Sequence, residues 1–143
     1  MGRLLGIARA HVIRAPLAET PGAVVDIAHG IEGDARGAKS GRQITVLFRE
    51  GWEAACGDLG VSLPWTTRRA NLLVEGVPMP REGQRLVIGP TTLEVTQETQ
   101  PCSLMEKAHR GLRAALTPDW RGGVCCRVVA GGMIRVGDEV RVE

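Results

Sequence analysis

The chain has 143 residues, enough for one domain of ordinary size with a core of its own. Its 43% apolar and 24% charged residues are ordinary globular usage and exclude disorder or low complexity. A net charge of +2, from 18 basic and 16 acidic groups, is too balanced for a dedicated DNA binder or a polybasic membrane anchor.

Nineteen glycines and eight prolines divide the chain into short apolar stretches, the signature of many short strands. Residues 4–13 and 23–27 read as the first two strands, followed by a turn-rich stretch that runs from His29 to Gly41. Residues 43–48 alternate Ile44, Val46 and Phe48 against Thr45 and Leu47, which predicts a strand. Residues 50–59 place Trp52, Ala55, Cys56 and Leu59 on one helical face, with Gly60 as the stop. Further strands are expected at 71–75, 85–88, 93–97, 124–130, 134–136 and 139–142, with glycine turns between or beside them. A second helix is predicted over 103–116, with Leu104, Ala108, Leu112 and Ala115 as its apolar stripe, ended by Thr117-Pro118. The fold class is therefore mainly β with a few helices, a closed or partly closed barrel of mostly antiparallel short strands, forming one domain over 1–143.

Four positions invite chemistry. Cys102 follows a strand and opens the second predicted helix, where the positive end of a helix dipole favours thiolate, both a nucleophile and a soft metal ligand. Arg68, Arg69 and Asn71 run into a strand and offer guanidinium forks and an amide suited to a phosphate or a pterin-like heterocycle. The glycines at 30, 33 and 37 permit close approach to an anion, with Asp34 or Arg36 to orient it; a plain turn is the competing reading. Arg121, in a loop before a strand, is a further candidate anion ligand. Cys56, Cys125 and Cys126 read as packing residues, and the adjacent pair must point to opposite sheet faces. Residues 1–14 intersperse Arg3, Arg9, His11 and Arg14 among apolar ones, and no run reaches membrane-helix length. The expectation is a cytoplasmic protein with reduced thiols.

The segments GIEGDARG (30–37), GRQITVLFRE (41–50), RRANLLVEG (68–76), VTQETQPC (95–102) and RGGVCCRVVAGGMIRVGDEV (121–140) stand in an order that resembles the MOSC family. This domain is also found at the C-terminus of molybdenum-cofactor sulfurases. The resemblance implies a β-barrel-like fold and binding of the molybdenum cofactor, a pterin carrying a phosphate and a dithiolene. It also implies that Cys102 ligates molybdenum or carries sulfur as a persulfide, and that Arg69 and Asn71 hold the pterin. Many relatives read GDRHAG where this chain has GDARGA, and GENL where it has RANL; Arg36 and Arg69 still supply phosphate donors. A separate electron or sulfur donor is implied, with no nucleic acid and no membrane as partner. Two alternatives are a non-catalytic storage or delivery module and a small barrel that binds RNA or another acidic partner; scarce aromatics weigh against RNA.

Overall fold

The computed structural model describes residues 2–38 and 40–143; Lys39, within the predicted turn-rich stretch, lies outside them. Strands β1 (Gly2–Arg9), β2 (Ala18–Glu19), β3 (Gly22–Asp26), β4 (Gly30–Ile31) and β5 (Ile44–Phe48) lead into helix α1 (Arg49–Leu59). After a 3-10 turn at Trp65–Arg68 come β6 (Leu72–Glu75), β7 (Arg85–Ile88) and β8 (Thr91–Glu98). Helices α2 (Ser103–Ala108) and α3 (Leu112–Leu116) precede β9 (Val124–Ala130), β10 (Gly132–Arg135) and β11 (Glu139–Val142).

Seven strands close a barrel in the order β11-β7-β8-β9-β5-β6-β1, with β1 returning to β11. Every pair is antiparallel except β5–β6, which are parallel because α1 carries the chain back between them. Strands β10, β3 and β4 form a separate three-stranded sheet. The alternating side chains of β5 serve two cores. Ile44, Val46 and Phe48 join the barrel interior with Leu4, Ile7, Leu72, Leu93 and Ile134. Leu47 faces outward into a second core with Trp52, Ala55 and Cys56 of α1, Met105, and Leu112 and Leu116 of α3. This explains why β5 is buried on both faces. Gly60 does end α1, in the left-handed conformation, with its N–H donating to the carbonyls of Cys56 and Gly57. No helix among the described residues is long and apolar enough to cross a membrane.

Two predicted elements differ. The first strand stops at Arg9, because Asp34 accepts the Ala10 N–H and takes that residue out of the ladder; Val12 and Ile13 are exposed beyond it. The single helix over 103–116 is two short ones, broken at Gly111, whose φ of 89° no helix accommodates. The break resets the buried face: Met105 is buried while Leu104 stays 47% exposed and Ala108 is exposed, so the predicted stripe holds only at Leu112 and Ala115.

Candidate functional site

The cleft at issue opens where the helical core meets one end of the barrel. Three segments converge there. The 3-10 turn delivers Arg68 and Arg69, the residues after β8 deliver Thr99, Gln100 and Cys102, and the glycine turn after β4 delivers Arg36. The cavity has a volume of about 370 Å³. Arg14, Arg36, Arg42, Arg68 and Arg69 line it, and no carboxylate does among the described residues.

Arg68 is the deepest of these cations, 6% exposed. Its Nε donates to the Gly122 carbonyl at 3.0 Å and its Nη2 to the Thr99 carbonyl at 2.9 Å. Gly122 leaves room for this seat: a Cβ there would lie 2.5 Å from the Thr99 oxygen and 3.2 Å from Arg68 Nη2. Burial pushes the guanidinium below its ordinary value, while the thiols of Cys102 and Cys125 act in the opposite sense and Arg42 adds to the lowering. A buried cation with carbonyls but no carboxylate around it is an unbalanced charge that an anion in the cleft would compensate.

Arg69 has a φ of 64°, unusual for a residue with a side chain. Its carbonyl accepts from Arg36 Nη1 at 2.9 Å, and its own Nη2 donates to the Ala15 carbonyl at 2.9 Å. Burial lowers the Arg69 guanidinium most, and Arg36 lowers it further, against the nearby Asp34.

Cys102 is exposed and sits on the wall between this cleft and a neighbouring cavity of about 600 Å³, which also contains Glu82, Glu98 and Trp120. Arg42 and Gln100 share that wall. The helix that Cys102 precedes has only six residues and no side-chain cap, so the long-helix dipole expected from the sequence is replaced by the neighbouring guanidiniums as the source of positive charge. Cys56, Cys125 and Cys126 are buried, as packing residues should be. Cys126 points into the barrel core, where burial raises its thiol far above the ordinary value. Cys125 lies on the other face, with its sulfur 3.2 Å from Thr99 Oγ1.

Two sequence candidates stand elsewhere. Asn71 is 2% exposed and does not line the cleft. Its Oδ1 accepts from the Thr45 N–H at 3.1 Å and its Nδ2 donates to the Ala8 carbonyl at 3.1 Å, so the amide ties β1 to β5. Arg121 points at the helices instead, with Nη1 at 2.7 Å from Asp58 Oδ2 and 3.0 Å from the Ala115 carbonyl. Arg14 and Arg42 were missed because each is flanked by ordinary loop residues; the fold brings both to the cleft that Cys102 lines.

The MOSC domain model matches residues 33–141. The chain belongs to the MOSC domain family. Among solved structures, this MOSC chain is similar to the YuaD protein from Bacillus subtilis, with a TM-score of 0.80 at 21% identity, covering 98% of this chain and 94% of that one. It is also similar to YiiM from Geobacillus stearothermophilus, with a TM-score of 0.68 at 18% identity over 99% of this chain and 73% of that one. For YiiM from Escherichia coli the TM-score is 0.71 at 15% identity, over 99% and 69%. These likenesses establish the shared fold. No curated protein matches the chain.

Proposed function

We propose that this MOSC protein binds the molybdenum cofactor in the arginine-lined cleft, with Cys102 as its thiol ligand or as a sulfur carrier. The observation that carries the reading is the pairing of five guanidiniums, one of them buried without a carboxylate, with an exposed thiol on the same wall. The donor set fits the group: Arg36, Arg42, Arg68 and Arg69 match a phosphate and the hydrogen-bond acceptors of a pterin, and a thiolate matches a soft metal centre. The cavity volume lies in the usual range for small-molecule sites. When bound, the group supplies redox chemistry or accepts sulfur at molybdenum. The chain's own part is to neutralise the phosphate, to fix the pterin's orientation through carbonyl-anchored guanidiniums, and to offer a single sulfur on the side facing the second cavity. That second cavity is the natural route for a substrate or for a separate electron or sulfur donor. The protein acts in the cytoplasm in this reading, and Asn71 and Arg121 serve as supports.

Purification from cells with intact cofactor biosynthesis tests this. Metal analysis should find molybdenum in the wild type and lose it in Cys102→Ser, while fluorescence of the oxidised pterin persists in that variant. Equal molybdenum in both proteins would remove Cys102 as metal ligand and leave it only the sulfur-carrier role. Pterin and metal absent from both would sink the cofactor reading.

A further inference from the structure

Asp34 sits beside an anion cleft yet carries a negative charge. By Coulomb's law alone it should weaken the binding of any anion there. Its side chain is fully buried and is not part of the cleft wall. Such placement needs a reason other than solvation.

The contacts supply one. Asp34 Oδ1 accepts the Ala10 N–H at 3.1 Å, and the Ala35 N–H donates to the Ala10 carbonyl at 2.8 Å, so the turn clasps the end of β1 from both sides. The turn is tight enough that a Cβ at Gly37 would collide with the His29 carbonyl. From this fixed base, Asp34 Oδ1 lies 3.6 Å from Arg36 Nη2. Arg36 Nη1 in turn holds the Arg69 carbonyl, and Arg69 Nη2 holds Ala15. The Asp34–Arg36 approach is slack. At 3.6 Å it steers the guanidinium without completing a hydrogen bond. Asp34 Oδ2 and Arg36 Nε and Nη2 are buried and unpartnered. Buried donors without partners are costly, and an oxyanion entering beside them would satisfy them.

We propose that Asp34 is a positioning residue, which aims Arg36, and through it Arg69, as a two-arginine clamp on an oxyanion of the phosphate class. The inference rests on the cofactor reading and adds to it a residue that touches no ligand. It also makes a prediction of opposite sign to simple electrostatics. Asp34→Asn removes a negative charge beside two arginines, so a purely Coulombic role predicts tighter anion binding. Positioning predicts weaker binding.

The test titrates the full chain with inorganic phosphate and follows the arginine Nε–Hε resonances by NMR. Asp34→Asn keeps an acceptor for Ala10, and it should weaken phosphate about tenfold, the size expected for one charge-assisted contact. The Arg36 and Arg69 resonances should broaden or shift even before phosphate is added. Arg36→Lys keeps the charge but cannot span Asp34 and the Arg69 carbonyl, and it serves should the first variant misfold; the same loss is expected. Unchanged or tighter phosphate binding in either folded variant overturns the positioning role while leaving the cleft reading intact. A wild type with no saturable phosphate response overturns both.

Discussion

Arg69 shows how much a single position can be asked to do. Its backbone lies in the left-handed region, which disfavours side chains by roughly 1–2 kcal/mol, and its guanidinium faces the cleft. Arg69→Gly and Arg69→Ala remove the same guanidinium. The glycine variant should be the more stable of the two by about 1 kcal/mol in urea unfolding, while both lose phosphate affinity. Equal stabilities would mean that the strain is relieved elsewhere. Such backbone strain is invisible in the sequence, where Arg68-Arg69 reads as a pair of guanidinium forks with no sign of its backbone. Cys102 was legible as a candidate, since a lone cysteine after proline stands out, and so were Arg36, Arg68 and Arg69 as its companions in one cleft; Arg14 and Arg42 were not. Asn71 was legible as an important residue; its bonds to Thr45 and Ala8 were not, because an amide that offers donors and an acceptor to a ligand offers the same groups to the backbone.

Strands and helices were read with unequal success for a physical reason. Strand β8 alternates buried and half-buried residues from Thr91 to Thr96, so its period is written directly in the sequence, while β9 is bounded by Gly123 and Gly131. The stretch from Ser103 to Leu116 has helical periodicity throughout, yet the backbone leaves the helix at His109, which is extended, and re-enters it after Gly111, where a Cβ would lie 2.9 Å from Leu59 Cδ2. Across the sheet, Glu94 of β8 stands opposite Arg85 of β7 and Arg127 of β9, with Oε2 2.8 Å from Arg127 Nε and Oε1 3.5 Å from Arg85 Nε. The Arg127 hydrogen bond is the main cause that holds the Glu94 carboxyl below its ordinary value of 4.5. A carboxyl with a lower value in the folded state binds its proton more readily in the unfolded one. Its stabilisation is therefore present above the ordinary value and lost as pH falls through the depressed one. Wild type should exceed Glu94→Gln in urea midpoint near neutral pH by a small margin that salt reduces, and the two should converge in acid. A margin that persists in acid would point to packing instead of charge.

The whole molecule depends on one seam. Gly2 and Arg3 of β1 pair with Val140 and Glu139 of β11, and this contact turns an open sheet into a barrel. The sequence predicted a closed or partly closed sheet, and the seam settles closure; no local pattern could, since it joins residues more than 130 apart. A chain that lacks residues 139–143 should lose cooperative unfolding and near-ultraviolet dichroism and bind hydrophobic dyes, because both β1 and β7 lose a partner strand. A sharp transition in that variant would show the barrel to be stable open. The seam also has a bearing on how the protein comes to be made. While the ribosome is still adding the middle of the chain, the Gly2–Arg3 end of β1 lacks its β11 partner, and it waits there until residue 140 has left the exit tunnel. The newborn polypeptide thus keeps an open flank, a template for stray strand pairing, from the emergence of β1 to that of β11.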